Sequence, residues 1–360
     1  MTKKTSKTPL TFNCGATIPN RFMLAPMTNS QSHEDGTLSN DEYNWLTMRA
    51  KGGFALTMTC ASHVQAIGKG FPGQLGVFSD QHIEGHKRLA AGIQKEGCLA
   101  VIQLHHAGMR SPKDVIGEQS VCPSEIEKHN ARSLTLVEVH NLRQDFINAA
   151  IRAQKSGYDG AEVHGAHGYI LTQFLSSDIN RRTDIYGGNL ENRARLLFEI
   201  VDGIRKACGP QFLLGVRLSP ERFGMQLQEI KIVSQQLIDT NQIDFLDISL
   251  WDVFKMPEDE AYQNKSLLAH FEELDYKNVK WTVAGKINSG KDVHKVLKTT
   301  VDFVSIGKSG ILHHDFPKLV MDNPSFEPTP TPVSINHLQK EGLGDAFVTY
   351  MKRWEGFVEA

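Results

Sequence analysis

Short apolar runs recur along the chain at regular separations, and turn residues bound each of them. Each run is followed by a loop or a helix-like segment. The eight runs are Phe22–Ala25, Ala55–Thr59, Ala100–Leu104, Gly160–His164, Leu213–Leu218, Phe245–Ser249, Lys280–Ala284 and Phe303–Ile306. Eight strands that alternate with helices are typical of a closed parallel barrel. The pattern therefore predicts an α/β protein built on a single (β/α)8 TIM barrel.

The segments between these runs carry signals for the start and the end of helices. Asn189 is a suitable N-cap for a segment whose apolar residues fall on one face, and Gly209 with Pro210 ends that segment. Phe146–Lys155 and Ile230–Asp239 show a similar pattern. These segments are predicted to be the crossover helices that connect parallel strands.

The two ends of the chain add elements to the predicted barrel. Leu10–Phe12 and Ala16–Ile18 predict a short hairpin that closes one end of the barrel. Asn323–Val333 contains four prolines and predicts an extended strap, and a helix is expected around Asp345–Phe357. A tail of this kind packs on its own barrel or on a neighbouring subunit, so a homodimer or a higher homo-oligomer is a candidate assembly.

One domain spanning residues 1–360 is predicted, with residues 1–20 as a hairpin cap and residues 323–360 as a C-terminal extension. The long polar segment Met109–Leu134 carries two prolines and does not fit a minimal barrel. Loops of this length inside a compact domain usually have a functional role. We expect this excursion to lie over the rim of the barrel.

Composition and charge exclude several classes of function. Hydrophobic residues are 40% and charged residues 22% of the chain, and the formal net charge of −2 gives no reason to expect nucleic acid or a membrane as a partner. No apolar run approaches the ~20 residues of a membrane span. The five cysteines are an odd number without a Cys-x-x-Cys pair, as expected of reduced thiols in a cytoplasmic protein.

The fourth predicted strand ends in the polar sequence His164-Gly-Ala-His-Gly-Tyr169. Polar groups at the carboxyl end of a barrel strand are where such barrels keep their chemistry. His164 and His167 can be neutral donors or cations near pH 7, and Tyr169 offers a weakly acidic hydroxyl. No Cys, Asp or Glu completes a zinc site at the expected spacing, so no metal is predicted. The trio suits a site that grips an oxygen atom and delivers one proton.

Two polar side chains interrupt otherwise apolar strands. Gln103 must find partners if it is buried, because an unpaired amide costs on the order of 1–3 kcal/mol. It either bridges neighbouring strands or binds a heterocycle with alternating carbonyls and ring nitrogens. Arg217 either pairs with a carboxylate or faces the negative charge of a ligand.

Glycine-bearing loops follow the last two predicted strands, in Ala284–Gly290 and Ser305–Gly310. In α/β barrels these positions commonly form a phosphate site from backbone N–H groups, and Lys308 adds a charge there. Ala25-Pro-Met-Thr28 follows the first strand and is either an ordinary turn or a segment that presents Thr28 to the barrel mouth.

In combination, these motifs resemble the Old Yellow Enzyme family of FMN-dependent ene-reductases. The similarity runs from Asn20 to about Pro317 and rests on four strings in order along the chain. These are Ala25-Pro-Met-Thr28, Gln103-Leu-His-His-Ala-Gly108, His164-Gly-Ala-His-Gly-Tyr169 and Asn180-Arg-Arg-Thr-Asp-Ile-Tyr-Gly-Gly-Asn-Leu-Glu-Asn-Arg193. The last string has no evident chemical meaning by itself.

The resemblance implies a tightly but non-covalently bound FMN that NADH or NADPH reduces. The implied FMN ligands lie along the ring, at its pyrimidine half and around its phosphate, and they are Pro26, Met27, Thr28, Ala61, Gln103, Arg217, Gly285, Gly307 and Lys308. Gln103 and Arg217 belong to the pyrimidine half. Many bacterial members have arginine in place of Lys308, so the affinity for FMN is left open here.

By the same resemblance, His164 and His167 bind the carbonyl oxygen of a small enone-type substrate and Tyr169 protonates its α-carbon. The implied reaction is reduction of the C=C bond of α,β-unsaturated carbonyl or nitro compounds. Two alternatives remain: a flavin-binding barrel without alkene reductase activity, and a flavin-free barrel enzyme that binds a phosphorylated metabolite.

Overall fold

Eight parallel strands close into a barrel in the computed structural model, which describes residues 4–359. The barrel strands follow one another in chain order, and the last pairs with the first. They are β3 (Phe22–Leu24), β4 (Leu56–His63), β5 (Leu99–His105), β8 (Gly160–Gly165), β9 (Leu213–Leu218), β10 (Phe245–Ser249), β11 (Lys280–Ala284) and β12 (Phe303–Ile306). Outside the barrel, β1 (Leu10–Thr11) pairs with β2 (Thr17–Ile18), and β6 (Val121–Cys122) pairs with β7 (Arg132–Ser133).

The predicted (β/α)8 barrel and its N-terminal hairpin are therefore confirmed. The largest difference in a strand is at β4, which continues past the predicted end at Thr59 to His63. Its register against β5 shifts between Met58 and Ala61. A local irregularity of this kind bends a strand and re-aims the side chains beyond it.

Helices occupy the segments between the strands and the C-terminal part of the chain. They are α1 (Asn40–Lys51), α2 (Ile83–Gln94), α3 (Lys113–Ile116), α4 (Leu136–Lys155), α5 (Ile170–Leu175), α6 (Leu190–Cys208), α7 (Leu227–Asp239), α8 (Leu267–Phe271), α9 (Gly290–Leu297), α10 (Lys308–Leu312), α11 (Phe316–Asp322), α12 (Ile335–Lys340) and α13 (Asp345–Met351). None of the helices within residues 4–359 has the length and apolarity that a membrane span requires.

Capping residues explain where two of the crossover helices begin. Asn189 caps α6 as predicted, because its side chain accepts a hydrogen bond from the Asn192 amide. Helix α4 begins ahead of the predicted Phe146, because Thr135 and Glu138 form a capping box in front of Leu136. Helix α4 therefore includes residues before Phe146 that the apolar pattern alone did not predict to be helical.

The interior of the barrel is apolar at its amino end. Phe245 and Phe303 pack edge-on with ring centroids 6.0 Å apart, and Phe12 from the hairpin packs against both rings. Leu10 and Ile18 belong to the same buried cluster. The hairpin therefore plugs the amino end, so any ligand must enter from the carboxyl end.

The C-terminal extension packs on its own barrel. Phe347 of α13 lies edge-on against Trp45 of α1, with 5.3 Å between ring centroids. The predicted helix around Asp345–Phe357 is too long, since α13 ends at Met351. Turns follow it and bring Val358 beside Val333 of the proline-rich strap. The extension thus returns to the strap instead of continuing as a helix.

Candidate active site

A cavity of about 390 Å³ opens at the carboxyl ends of the barrel strands. Six of the nine predicted cofactor ligands line it, and they are Pro26, Met27, Arg217, Gly285, Gly307 and Lys308. Thr28 lines an adjoining cavity of about 430 Å³ that shares Met27 and Lys308 with the first. Ala61 and Gln103 face each other in the register of β4 and β5. The chain thus brings distant predicted ligands to one end of the barrel.

Ala61 is the one accessible position of an otherwise buried strand β4. Its carbonyl accepts a hydrogen bond from the side chain of Gln74. Pro26, Met27 and Thr28 are likewise only partly buried, whereas β3 before them is fully buried. These four residues are therefore open on the side where a planar ring could lie.

Gln103 and Arg217 each contact a buried carboxylate. The Gln103 side-chain amide donates to Glu162 Oε1 over 2.7 Å. Arg217 Nε lies 3.2 Å from Asp247 Oδ2, but within residues 4–359 this nitrogen has no aligned hydrogen bond. Gln103 therefore does bridge to a neighbouring strand, and Arg217 does pair with a carboxylate. Arg217 also lines the cavity, whereas Gln103 is 1% exposed.

Several buried polar atoms of the barrel interior lack partners within residues 4–359, and one of them belongs to Ser305, which lines the cavity. Within the described residues, buried Glu162 Oε2, Thr282 Oγ1, Ser305 Oγ and both carboxylate oxygens of Asp247 lack hydrogen-bond partners. A buried polar atom without a partner is costly unless a ligand or water satisfies it. A flavin pyrimidine ring, with its alternating carbonyl and N–H groups, fits a surface of this kind.

Burial disfavours the charged forms of the two acids below the cavity. Burial, with added repulsion from Asp247, raises the pKa of Glu162 to about 8. Burial raises the pKa of Asp247 to about 6, although attraction to Arg217 opposes the increase. The layer therefore contains two acids that bind a proton more readily than usual, beside the guanidinium of Arg217.

The two glycine loops that the sequence predicts as a phosphate site differ in their surroundings. Gly285 adopts φ +143°, and a Cβ there would lie 2.6 Å from the carbonyl carbon of Trp251, so a side chain is excluded. Gly307 has open space on its Cβ side, with only Met27 Sδ at 3.6 Å. Lys308 is exposed, and its ammonium donates to Thr331 Oγ1 over 3.0 Å. The proline-rich strap thus holds the cation at the edge of the cavity.

His164 and His167 lie together, with ring centroids 5.1 Å apart. The Ala166 amide donates to His164 Nδ1 over 3.3 Å, so the proton of a neutral His164 is on Nε2. His164 Nε2 then donates to His167 Nδ1 over 3.2 Å, and His167 Nε2 donates to Ser249 Oγ over 2.7 Å. The two predicted substrate donors therefore form one chain of hydrogen bonds.

Both histidines are neutral at physiological pH. Burial is the main cause that lowers the pKa of His164 and of His167 well below 6.5, and the nearby Arg217 charge lowers both further. Of the two states that the sequence left open, the structure thus selects the neutral donor. His167 also adopts φ +62°, a left-handed conformation that is uncommon for a residue with a side chain.

Tyr169 stands directly in front of α5 and borders the histidine pair. Its ring centroid lies 4.3 Å from that of His105 and 5.2 Å from that of His164. Its hydroxyl makes no hydrogen bond within the described residues, which leaves the proton available. Burial raises the pKa of Tyr169, although the Arg110 guanidinium, 4.8 Å above the ring, opposes the increase. The phenol is therefore protonated at neutral pH.

Several functional neighbours were not predicted from the sequence. These residues are His105, Arg110, Glu162, Asp247 and Ser249. Four of them face the barrel interior by the alternation of their strands, which is a signal the sequence contains once the strands are aligned. Arg110 comes from the Met109–Leu134 excursion, and its contact with Tyr169 confirms that the excursion reaches the rim.

The string Asn180–Arg193 has a structural role. The Asn180 side chain donates to the carbonyls of Phe174 and Tyr186, each over 2.7 Å. Arg182 binds carbonyls of the excursion, and Arg193 pairs with Glu229 of α7. The string therefore ties the end of α5 to the excursion and to the next two helices, which fixes the helix that begins beside Tyr169.

Comparison with protein families decides the class of this site. The profile of the NADH:flavin oxidoreductase / NADH oxidase family matches residues 8–323. The chain belongs to this family. The resemblance to the Old Yellow Enzymes is thereby confirmed, and the chain is an FMN-dependent NAD(P)H oxidoreductase. The flavin-free alternative is wrong.

Individual relatives support the family assignment. A probable NADH-dependent flavin oxidoreductase, YqiG of Bacillus subtilis (strain 168), is 37% identical over 311 residues, which are 83% of each chain. An NADPH dehydrogenase of Bacillus pumilus (strain SAFR-032) is 31% identical over 84% of this chain and 90% of its own length. The structure of morphinone reductase is 26% identical with a TM-score of 0.78, covering 94% of this chain and 93% of that one. The chain spans about half, 48%, of a longer relative, the NADH oxidase of Thermoanaerobacter brockii.

Proposed function

We propose that this oxidoreductase reduces the C=C bond of α,β-unsaturated carbonyl or nitro compounds. The observation that carries the proposal is the convergence of two neutral histidines and one protonated tyrosine beside the cavity that Arg217 lines. If FMN is bound in this cavity and reduced by NADH or NADPH, the chemistry available there would be hydride transfer to the β-carbon. The chain itself must then bind the oxygen, stabilise its charge and deliver one proton.

His164 and His167 are the proposed donors to the substrate oxygen. Neutral imidazole N–H groups donate hydrogen bonds without carrying a permanent charge. These hydrogen bonds strengthen as negative charge develops on the acceptor. In the structure these N–H groups point to His167 and to Ser249. A substrate oxygen must replace at least one of these internal acceptors. Ser249 Oγ therefore competes with the substrate oxygen for the N–H group of His167.

Tyr169 is the proposed proton donor to the α-carbon. A general acid must hold its proton at the working pH and must have a free hydroxyl. Tyr169 meets both conditions, because burial raises its pKa and because its hydroxyl has no partner within residues 4–359. Its ring is fixed between His105 and the Arg110 guanidinium, which limits the directions in which the hydroxyl can point.

The proposed FMN ligands divide along the cavity. Gln103 and Arg217 would hold the pyrimidine half, and Gly285, Gly307 and Lys308 would hold the phosphate. The unsatisfied atoms below the first pair and the open Cβ side of Gly307 support this arrangement. Pro26, Met27, Thr28 and Ala61 would line the ring between these ends.

Anaerobic turnover tests the proposal. The purified FMN complex is reduced with NADH or NADPH, and the excess nucleotide is removed. Addition of cyclohexenone or a nitroalkene should restore the absorbance of oxidised flavin, while cyclohexanone, which has no C=C bond, should not. If a panel of enones and nitroalkenes leaves the flavin reduced, the protein is a flavin reductase without alkene reductase activity.

A further inference from the structure

A polar layer lies inside the barrel between the apolar plug and the cavity. Along each strand, alternate residues point inward. On β10 this order is Phe245 in the apolar plug, then Asp247, then Ser249 at the cavity. The same alternation puts Glu162 of β8 and Arg217 of β9 inside the barrel. The layer below the proposed pyrimidine site therefore contains two acids and one cation.

Asp247 has a single close partner. Its side chain is 0% exposed, and its Oδ2 lies 3.2 Å from Arg217 Nε. Neither carboxylate oxygen accepts a hydrogen bond within the described residues. A buried ion pair with so few hydrogen bonds is a poor source of stability, because desolvation offsets the attraction. The reason for this carboxylate is therefore better sought in what it does to Arg217.

Arg217 connects Asp247 to the cavity. Its guanidinium is 4% exposed and lines the cavity, while its Nε faces Asp247. Glu162 is the other acid of the layer, but it accepts a hydrogen bond from Gln103, and burial raises its pKa. Within the described residues, Asp247 is the acid that forms an ion pair with Arg217.

We propose that Asp247 is a positioning residue that pairs with Arg217 by charge and sets the reduction potential of the bound cofactor. This inference rests on the proposed placement of Arg217 beside the pyrimidine half of FMN. A cation there favours the reduced cofactor, which is more negative than the oxidised one. The carboxylate below it partly cancels that cation, and so it lowers the potential. Removal of the Asp247 charge should raise it.

The test uses Asp247→Asn, which keeps the size of the side chain and removes its charge. The dissociation constants of oxidised and of reduced FMN are linked to the midpoint potential by a thermodynamic cycle. We expect the dissociation constant of oxidised FMN, divided by that of reduced FMN, to rise at least about tenfold. This corresponds to a rise in the midpoint potential of about 30 mV for a two-electron couple. Dye equilibration measures the potential, and flavin fluorescence measures the constant for oxidised FMN.

Asp244→Asn is the matched control. Asp244 immediately precedes the same strand, is also buried, and pairs with Arg205 over 2.8 Å, but it lies at the amino end of the barrel. Its replacement should lower the free energy of unfolding and leave the potential unchanged. Asp247→Ala is a second neutral variant, in case Asp247→Asn does not fold, and it should shift the potential in the same direction.

The outcomes separate this inference from the function on which it rests. A folded Asp247 variant with an unchanged or lower potential overturns the role of Asp247, even if the enzyme still reduces enones. If Arg217→Gln leaves the affinity for FMN unchanged, the placement of Arg217 is wrong, and the inference is wrong with it. A raised potential in the Asp247 variants, with no shift in Asp244→Asn, supports the proposal.

Discussion

His167 Nε2 donates a hydrogen bond to Ser249 Oγ over 2.7 Å, and this bond joins the loop after β8 to the end of β10. The Ser249 hydroxyl thus accepts a hydrogen bond from the N–H group that, in the proposed function, donates to the substrate oxygen. A substrate must compete with Ser249 for the same N–H group. The internal bond orients the imidazole, and it also reduces the gain when a ligand binds.

Ser249→Ala should therefore tighten the binding of oxygen ligands. A neutral hydrogen bond contributes about 0.5–1.5 kcal/mol, so the dissociation constant of a phenol should fall roughly two- to tenfold. The change in flavin absorbance during titration with phenol measures this dissociation constant. Ser234→Ala is the control, because Ser234 is buried on α7 and has no hydrogen-bond partner within residues 4–359. Weaker binding in Ser249→Ala would mean that orientation of His167 matters more than competition.

Tyr169→Phe should separate the two halves of the catalytic cycle. Reduction of FMN by NAD(P)H needs no proton from Tyr169 and should stay within about twofold. Alkene reduction should slow by about 10²- to 10⁴-fold, the usual contribution of a positioned general acid. Anaerobic stopped-flow absorbance measures both rates.

Tyr158→Phe is a suitable comparison for the tyrosine variant. Tyr158 is buried between the barrel and α2, where its hydroxyl bonds to His86 over 3.0 Å, away from the cavity. Its replacement should affect stability and leave both rates similar. Equal slowing of both half-reactions by Tyr169→Phe would indicate a structural role for Tyr169.

The sequence predicts those features that depend on periodicity, and it misses those that depend on contacts across strands. The eight strands could be predicted because buried parallel strands are continuous apolar runs between turns. The convergence of Met27, Arg217 and Gly307 at one cavity follows from the barrel topology, since the carboxyl ends of all eight strands meet there. The roles of these residues toward FMN stay predictions.

Contacts between strands are set by register, which one sequence does not specify. Asp247 stands between apolar neighbours in β10, and only the pairing of β9 with β10 puts it beside Arg217. The contacts of the Asn180–Arg193 string could not be predicted for the same reason, because their partners lie in the excursion and in α7. The end of the last helix was also missed, because α13 stops at Met351 and turns lead from there to the pairing of Val358 with Val333.

Lys308→Ala should weaken the binding of FMN. An exposed ammonium at a phosphate site contributes a charge-assisted hydrogen bond of about 1.5–3 kcal/mol, so the dissociation constant should rise about 10- to 100-fold. Lys308→Arg should keep or improve the affinity, because guanidinium can bind phosphate with two parallel hydrogen bonds. Fluorescence titration of the FMN-free protein measures the constants.

Lys286→Ala is the matched control for Lys308→Ala. Lys286 lines the same cavity, but its ammonium pairs with Asp252 over 3.1 Å. Its loss should change the dissociation constant of FMN by less than about threefold. A larger effect at Lys286 than at Lys308 would indicate that Lys286, in the loop after β11, binds the FMN phosphate. Lys308 would then only anchor the strap.

Buried histidines give the fold a specific dependence on pH. Burial holds the pKa of seven histidines below 6.5, and these are His63, His86, His105, His106, His164, His167 and His313. In the unfolded chain the same groups take up protons as the pH falls through about 6.5. The unfolded state then binds more protons than the folded state, so acidification favours unfolding.

The free energy of unfolding of the FMN-free protein should therefore fall as the pH is lowered from about 7 to about 5. Each histidine that titrates only in the unfolded chain contributes about 1.4 kcal/mol per pH unit below its unfolded pKa. Burial raises the pKa of Glu42, Glu162, Asp247 and Asp302, and this acts in the opposite direction, but the seven histidines outnumber these four acids. Urea unfolding followed by circular dichroism at constant ionic strength measures the trend. Stability that is flat or that rises toward pH 5 would contradict the expectation that the buried histidines outweigh the buried acids.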